Sequence, residues 1–308
     1  MQKIGEGLTR PAGVVIGRDG RIWASDKGSA VALVRPDGAR KMGAAGGVPS
    51  GLAMDRKGRI LIANFGVKAG EPGPLQQLDV GTGKIDTLVR SADGRVLGAS
   101  NTPLVAPDGT IYCTHSTWEK SLSAVSAETG PDGMVYRLDA NGKVDVVAQQ
   151  INFASGCCFD ERERHLYVIQ SLSCNVLRFG RRADGTLDPP KPYGPQLGNV
   201  PDGAFTREGR ARLTMRERNR IGFGGGCQFD AEGNLWVTLP YANRIIAITP
   251  NLSLSVVVND PEGQIVNRPM ALAFGGRDMC DLYIAAAGTG AIVKVRSPVP
   301  GIPLAHQR

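Results

Sequence analysis

Short apolar runs alternate with glycine-containing turns along the chain. Residues 10–26 read RPAGVVIGRDGRIWASD, and residues 48–64 read VPSGLAMDRKGRILIAN. Both segments place a small residue before an apolar run, then a turn (DGR or KGR), then a second apolar run. Two apolar runs joined by a tight glycine turn are typical of a β-hairpin. The pattern therefore predicts pairs of short antiparallel strands.

The hairpin pattern recurs six times. The other four copies lie at residues 100–115, 154–170, 224–239 and 269–286. Further strand-like runs follow most copies, such as LQQLDV and IDTLVR after the second. Four antiparallel strands in each of six units predict an all-β fold, a six-bladed β-propeller of four-stranded antiparallel blades, which protects its sheet edges by closing the ring.

The six units use the whole chain, so we expect a single domain over residues 1–308. The last unit shows three strands and ends with AIVKVR, and residues 1–8 are predicted to supply its fourth strand and close the ring. The spacing before the fifth unit is long. It predicts an insertion at about residues 181–223, and long loops of this kind are often functional.

Charge and composition exclude several classes of protein. The net charge is +7, but aromatic residues are 6% of the chain and do not interleave with the basic ones, which disfavours a nucleic-acid groove. No apolar run reaches the roughly 18 residues of a membrane helix. The first ten residues are polar, so we expect no signal peptide, no membrane partner and a cytoplasmic location. An arginine-rich stretch at residues 207–220 is either a solvated basic loop or a lid that attracts anionic substrates.

Propeller geometry brings two sets of residues to one mouth of the central channel. The first strand of each blade is innermost, and the second strand returns to the face where the first begins. The residues at the start of the first strands, called the inner ring here, are Ala12, Ser50, Asn101, Ser155, Gly225 and Met270. The residues at the end of the second strands, called the second ring, are Asp26, Asn64, His115, Gln170, Leu239 and Ala286.

The two rings are polar in blades one to four and apolar in blades five and six. Such a pocket suits a small organic substrate with one polar end, and the oligomeric state stays open. The predicted substrate-binding residues are Ser50, Asn64, Asn101, Ser155, Gln170, Leu239, Tyr241 and Met270.

Two residues of the second ring are candidate catalytic groups. His115 titrates in the range that suits acid–base chemistry near neutral pH. Asp26 is the only carboxylate in either ring, and it could orient His115, pair with a cationic substrate or act as the base. The structural alternatives are a histidine with a structural hydrogen bond and a carboxylate that caps a turn.

At these repeats the chain resembles the senescence marker protein/gluconolactonase family, the regucalcin-like six-bladed propellers. The most specific pieces are SLSCNVLRF at residues 171–179, DAEGNLWV at 230–237 and LAFGGRDMCDLYIAAAG at 272–288. The resemblance implies lactonase activity and a divalent cation at the channel mouth, held by a Glu in blade one, an Asn in blade four and the Asp of a PDG motif in blade five. An Asn in blade three assists.

This sequence departs from that ligand set. The Glu position is Ala12, the blade-four Asn position is Ser155, the PDG position is Gly225, and only Asn101 remains. Divalent cations prefer anionic oxygen ligands, which alanine and glycine do not provide. We therefore predict that the metal site is lost and that there is no cofactor. An unaligned PDG at residues 201–203 leaves Asp202 as the one residue that could refill the site.

Three functions are consistent with the sequence. The first is a metal-independent hydrolase of a lactone or ester that uses His115 and Asp26. The second is an isomerase, lyase or cyclase that acts on a partly apolar small molecule in the same pocket. The third is a ligand-binding propeller without turnover, because one fold hosts many functions.

Overall fold

The computed structural model describes residues 1–122, 124–125, 130–201, 204 and 207–308. Its strands form six four-stranded antiparallel blades, so the predicted six-bladed β-propeller is confirmed. Blade one comprises β2 (Val14–Ile16), β3 (Ile22–Ser25), β4 (Val31–Arg35) and β5 (Gly38–Met42). Blade two comprises β6 (Pro49–Met54), β7 (Ile60–Asn64), β8 (Leu75–Leu78) and β9 (Ile85–Val89). Blade three comprises β12 (Ser100–Val105), β13 (Ile111–His115), β14 (Gly133–Leu138) and β15 (Val144–Ile151).

The second half of the ring repeats this arrangement. Blade four comprises β16 (Ala154–Phe159), β17 (His165–Gln170), β18 (Asn175–Gly180) and β19 (Lys191–Tyr193). Blade five comprises β20 (Cys227–Phe229), β21 (Leu235–Leu239), β22 (Arg244–Ile248) and β23 (Leu254–Asn259). Blade six comprises β24 (Pro269–Gly275), β25 (Asp281–Ala286), β26 (Ala291–Arg296) and β1 (Gln2–Ile4). A small hairpin, β10 (Ser91–Ala92) with β11 (Arg95–Val96), lies between blades two and three.

The N-terminal strand closes the ring, as predicted. β1 pairs antiparallel with β26, with Gln2 opposite Lys294 and Ile4 opposite Ile292. The first residues of the chain are thereby the outermost strand of the last blade. This pairing fixes both ends of the ring without a covalent link.

The hydrophobic core lies between the blades. Each of the six boundaries between neighbouring blades holds its own buried apolar cluster. At the boundary of blades one and two, for example, Trp23 packs with Ile60 and Ile62. Each blade therefore has two apolar faces, which explains why a second strand such as β7 is buried along its whole length. Burial of each large apolar side chain contributes about 1.5–3 kcal/mol.

Glycines let the innermost strands pack edge to edge around the channel. A Cβ atom on Gly13 would lie 2.4 Å from the carbonyl oxygen of Ser50, and one on Gly51 would lie 2.5 Å from that of Asn101. On Gly156 it would lie 2.3 Å from the carbonyl oxygen of Gly225. These distances are too short for any side chain. The small residue that recurs in the sequence repeat is therefore a packing requirement of the ring.

The segment between blades four and five is shorter than the sequence suggested. The predicted insertion, residues 181–223, includes the outermost strand of blade four, β19. The part outside the blades is residues 194–226, with two short helices, α1 (Arg207–Arg212) and α2 (Met215–Arg218). It packs with Phe65 and Phe153 through Ile221 and Phe223 over the channel mouth. Asp202 lies outside the described residues.

The C-terminal residues 297–308 close the opposite end of the channel. The backbone N–H of Ile302 donates to the carbonyl oxygen of Phe229 at 3.2 Å. The Nε2 atom of His306 is 2.9 Å from the carbonyl oxygen of Ile16. An ion pair of 3.0 Å joins Arg308 to Glu163. The tail is thus fixed to blades one, four and five. Within the described residues, no helix is both long and apolar enough to span a bilayer.

Candidate functional site

The central channel holds a cavity of about 130 Å³. The innermost strands form its wall, and the C-terminal residues Leu304, Ala305 and His306 form its closed end. All six members of the inner ring line the cavity, at the end that opens to the mouth. The inner ring thus lies on the cavity surface, and its role in substrate binding stays a prediction.

Ser50, Asn101 and Ser155 are the polar residues of the inner ring and are called the polar wall here. They differ in how many of their hydrogen-bonding groups already have a partner in the protein. Ser155 Oγ and Ser171 Oγ are 2.5 Å apart, so the Ser155 hydroxyl is engaged by its own blade. Asn101 Nδ2 donates one hydrogen bond, to Ser116 Oγ at 2.9 Å. The Ser50 side chain makes no hydrogen bond within the described part of the chain. The Ser50 hydroxyl and the second N–H of Asn101 are therefore the polar-wall donors open to a ligand.

Four aromatic rings, called the aromatic arc here, form an apolar wall across the mouth. The ring centroids of Phe65 and Phe153 are 6.2 Å apart, and those of Phe153 and Phe223 are 5.5 Å apart. Phe223 and Tyr241 follow at 5.1 Å. All four rings line the cavity, including Tyr241, which the sequence predicted there. Neighbouring rings are tilted by 54°, 57° and 47° against one another, so the arc offers a curved apolar wall to an organic ligand.

Positive charge gathers beside the aromatic arc. The charges of Arg10, Arg210 and Arg268 act on Lys68, and these four residues are called the cationic cluster here. Lys68 ends a single 3-10 turn, Gly66–Lys68, and lines the cavity together with Arg268. The guanidinium carbon of Arg210 lies 4.6 Å from the Tyr241 ring centroid, and that of Arg268 lies 5.9 Å from it. Within the described residues, none of the four cations forms an ion pair with a carboxylate.

The environment of Lys68 lowers the pKa of its amine. The side chain stays accessible through the mouth, but the concave walls surround its ammonium with protein. This desolvation lowers the pKa of Lys68 well below its ordinary value, and the charges of Arg10, Arg268 and Arg210 lower it further. A lysine amine with a lowered pKa can act as a general base at a lower pH than an ordinary lysine.

Three mouth residues share one position in the blade repeat. Arg10, Phe153 and Arg268 each lie two residues before the inner-ring residue of their blade, and all three have a left-handed backbone with φ of 53°, 63° and 56°. That conformation costs an ordinary residue about 1–2 kcal/mol. Sequence reasoning missed this position. The Arg-Pro pairs at residues 10–11 and 268–269, which precede inner strands in two blades, were the available signal.

The second ring does not reach the cavity, contrary to the sequence-based expectation. None of its six members lines it. In blades one to four each polar member accepts a hydrogen bond of 2.5–3.2 Å from a backbone N–H just before its own inner strand. The acceptors Asp26, Asn64, His115 and Gln170 face the N–H groups of Thr9, Val48, Ala99 and Asn152. In blades five and six, Leu239 and Ala286 lie in the apolar clusters. The repeated polar position therefore holds the loop that leads into each blade.

His115 is a buried structural histidine in this geometry. Its Nε2 atom accepts from the N–H of Ala99 at 3.2 Å and from that of Gly98 at 3.3 Å. Its ring packs on Trp118, with the centroids 4.2 Å apart. Burial, followed by the charge of Arg95, lowers the pKa of His115 to about 3. The imidazole is thus neutral. Its Nε2 atom is occupied by backbone hydrogen bonds, and its buried Nδ1 atom has no hydrogen-bond partner within the described residues.

The Asp26 carboxylate is likewise engaged in structural hydrogen bonds. Besides the Thr9 N–H, its carboxylate accepts from Ser29 Oγ at 3.0 Å and lies 3.4 Å from Lys41 Nζ. Its side chain is fully buried. The expected meeting of Asp26 and His115 at the mouth does not occur, because both side chains turn to the loop of their own blade.

The positions that the resemblance assigns to metal ligands do not fit a divalent cation. Ala12 and Gly225 line the cavity without an oxygen-bearing side chain. A Cβ at Gly225 would lie 2.7 Å from the Met270 carbonyl oxygen and from Thr238 Oγ1, so this backbone has no space for a longer residue. The nearby Lys68 and Arg268 add positive charge. In the described ranges, no three metal-ligating side chains of His, Cys, Asp or Glu come together.

Fold and site together define the class of this protein: a closed six-bladed propeller with a ligand-sized cavity at one mouth of its channel. The sequence model of the SMP-30/Gluconolactonase/LRE-like region matches residues 66–288. The chain belongs to this family.

Individual relatives are distant. YvrE of Bacillus subtilis (strain 168), which carries the name of a sugar lactone lactonase, is 25% identical over 153 residues, 50% of this chain and 44% of YvrE. Regucalcin of Sus scrofa is 25% identical over 173 residues, 54% of this chain and 50% of regucalcin. The chain thus spans about half the length of the curated relatives it matches. The gluconolactonase XC5397 of Xanthomonas campestris has a similar fold, with a TM-score of 0.69 at 20% identity over 96% of this chain and 88% of that chain.

Proposed function

We propose that this protein hydrolyses small lactones or esters in the channel cavity. Family membership supports a lactonase-type reaction, since relatives carry the names of sugar lactone lactonase and gluconolactonase. The observation that carries the proposal is Lys68, an ionisable side chain on the cavity wall with no ion pair in the described chain and a lowered pKa. Among the three histidines, His306 alone lines the cavity, at the closed end and engaged with Ile16.

In this mechanism the neutral amine of Lys68 acts as the general base. It takes a proton from a water molecule whose oxygen forms a new bond to the carbonyl carbon of the substrate. The ring C–O bond then breaks, and the resulting alkoxide takes the proton back from the Lys68 ammonium. The products are an alcohol and a carboxylic acid, which releases its remaining proton to solvent and becomes a carboxylate. A base of this kind contributes about 10²- to 10⁴-fold in rate.

The polar wall supplies the electrostatic part of the mechanism. The carbonyl oxygen becomes negatively charged when water adds, and it needs fixed hydrogen-bond donors at that moment. The Ser50 hydroxyl and the second amide N–H of Asn101 are the open donors on this wall. His115 and Asp26 have no part in the proposal, because neither lines the cavity.

The proposed reaction is metal-independent. Ala12 and Gly225 offer no oxygen ligand, and the cationic cluster disfavours a further cation at the mouth. We therefore expect turnover in EDTA equal to turnover with added Ca²⁺ or Zn²⁺.

Elimination is the second candidate reaction. A neutral amine beside an apolar wall could also remove a proton from the carbon next to the alkoxy carbon of an ester. A C=C double bond then forms as the C–O bond breaks and the carboxylate leaves, without added water. Lys68 next to the aromatic arc is the observation that favours it. Turnover in H₂¹⁸O distinguishes the two reactions. Hydrolysis incorporates one labelled oxygen into the product, and elimination incorporates none.

A lactone panel tests the proposal. Aromatic and aliphatic lactones are assayed with the wild type and with Lys68→Met, which keeps the length of the side chain and removes the amine. Turnover by the wild type in EDTA that is lost in Lys68→Met supports the proposal. Turnover that needs an added metal ion, or that survives in Lys68→Met, contradicts it.

A further inference from the structure

We propose that the substrate of this cavity carries a negatively charged group, a carboxylate or phosphate on an apolar body, and that Arg10, Arg210 and Arg268 bind it. The proposal rests on the proposed function for the reaction but not for the binding. The lactonase reaction alone does not require positive charge at the channel mouth. The proposal explains this charge by the class of substrate that binds there.

The cationic cluster forms no ion pair with a carboxylate within the described residues, although the charge of Glu208 acts on Arg210 without such a pair. Arg10, Lys68, Arg210 and Arg268 lie close enough for their charges to act on one another. Within the described residues none of them pairs with a carboxylate, although elsewhere arginines such as Arg137 and Arg296 do. Like charges held together without a partner oppose folding, so an arrangement of this kind is explained by a ligand that supplies the missing charge.

Arg268 carries an unused donor into this region. Its Nε–H is buried and has no hydrogen-bond partner in the described chain. A buried donor without a partner costs free energy, and a charge-assisted bond to an oxyanion would satisfy it. The left-handed backbones of Arg10 and Arg268 hold both side chains at equivalent positions of blades one and six, which flank each other in the ring.

Arg210 comes from the segment between blades four and five. Its Nη1 donates to the carbonyl oxygen of Ala204 at 2.7 Å, and its guanidinium covers the Tyr241 ring. This fixes one arginine of the 207–220 stretch beside the mouth, whereas Arg212, Arg216 and Arg220 are exposed. Of the two interpretations of that stretch, attraction of an anion therefore applies to Arg210 and solvation to its exposed neighbours.

The body of the ligand follows from the aromatic arc. Phe65, Phe153 and Phe223 are nearly fully buried, so their exposed edges are directed to the cavity rather than to bulk solvent. Aromatic walls beside guanidinium groups bind an apolar or aromatic group with an oxyanion at one end. A free inorganic anion would use the arginines alone.

Three matched probes test the binding. Benzoate, phenyl phosphate and benzamide have the same ring, and benzamide has no charge. Calorimetric titration at low salt is expected to give a Kd for at least one anion about 10- to 100-fold below that of benzamide. The more tightly bound anion tells a carboxylate site from a phosphate site. Weaker binding of inorganic phosphate than of phenyl phosphate is expected from the aromatic arc.

The charge is tested with the double variant Arg10→Gln/Arg268→Gln. It should lose the preference for the anions and keep the affinity for benzamide. The control is Arg40→Gln, because Arg40 lies exposed on β5 without an ion pair in the described chain. Equal affinity for all three probes, no binding of either anion, or a preference that persists in the folded double variant overturns the inference.

Turnover separates this inference from the proposed function. Phthalide and a carboxylate-bearing phthalide are compared as substrates. Anion binding without hydrolysis of either lactone leaves the site standing and contradicts the hydrolase. Equal hydrolysis of both lactones, unchanged in the double variant, leaves the hydrolase standing and contradicts the anion site.

Discussion

The Nζ atom of Lys68 lies 4.7 Å from the centroid of the Phe65 ring. A ring face at this distance favours the charged ammonium, by about 0.5–1 kcal/mol where solvent has access. The pKa of Lys68 is nevertheless lowered, because burial and the charges of Arg10, Arg268 and Arg210 act in the opposite direction. Desolvation and like charge thus oppose the effect of the aromatic contact on Lys68.

Replacement of the Lys68 amine should remove most of the catalysis. We expect Lys68→Met and Lys68→Arg to lower kcat/KM for a hydrolysed lactone by about 10²- to 10⁴-fold, since arginine keeps the charge but does not release its proton. Steady-state kinetics check this. Lys57→Met is the control, because Lys57 is exposed in a turn of blade two. Activity retained in Lys68→Arg would show that charge, not proton transfer, is the role of this residue.

The pH profile should report the same group. The base is active when deprotonated, so kcat/KM should rise with pH and level off above the pKa of Lys68. Since that pKa is lowered from 10.5, the rise should be complete at a lower pH than an ordinary lysine allows. In the Arg10→Gln/Arg268→Gln variant the profile should move to higher pH, because two like charges are gone. A pH profile that is the same in the variant and the wild type would show that the charges of Arg10 and Arg268 do not affect the pKa of the catalytic base.

Asp26 is expected to matter for stability rather than for catalysis. Asp26→Ala leaves the Thr9 N–H without its acceptor, while Ser29 Oγ keeps the Val31 carbonyl oxygen, and it should lower the free energy of unfolding by about 1–3 kcal/mol. Denaturant titration measures this, and kcat per folded molecule should stay near that of the wild type. A large loss of kcat at unchanged stability would instead return Asp26 to the list of catalytic residues.

His115 should make the fold sensitive to acid. Its pKa is about 3 in the folded protein and 6.5 ordinarily, so between these values the unfolded chain binds a proton that the folded chain does not. The stability from this residue is present above about pH 6.5. It falls as the pH is lowered towards 3, by up to about 1.4 kcal/mol per pH unit. His115→Gln cannot titrate, so its stability should fall less steeply over that range. Parallel curves for the two proteins would contradict this account.

Gly225→Asp tests whether one substitution restores a cation site. The new Cβ would meet the Met270 carbonyl oxygen and Thr238 Oγ1 at 2.7 Å, so we expect a loss of about 1–3 kcal/mol in stability. We also expect no increase in Tm on addition of Ca²⁺. Ser155→Asn, which restores the Asn that the resemblance assigns to blade four, is the comparison. A Ca²⁺-dependent rise in the Tm of Gly225→Asp would show that the backbone can accommodate the ligand.

The repeat in the sequence was enough to predict the blades, the closing strand and the inner ring. These features depend on local alternation and on glycine at close approaches such as Gly13, which a single sequence displays directly. The second ring could not be judged in the same way. A polar residue at a strand end is equally consistent with a ligand contact and with a backbone hydrogen bond. Only the direction of the side chain distinguishes Asn64, which holds the Val48 N–H, from a cavity residue.

The cationic cluster was harder to predict because its members are far apart in sequence. Arg10 and Arg268 come from neighbouring blades at opposite ends of the chain, and Lys68 and Arg210 come from two unrelated loops. The charges of these residues looked scattered until the ring brought them together. The net charge of +7 permits anionic partners but does not demonstrate one.

The C-terminal tail fills the far end of the channel, so the channel is open at one end only. With Leu304, Ala305 and His306 across the base, reactant and product share one doorway at the aromatic rim. A product with a carboxylate would dissociate slowly from this opening, because the guanidinium groups that bind the substrate would also bind the product. Product release, rather than bond cleavage, would then limit kcat, and accumulated product would inhibit competitively with the substrate.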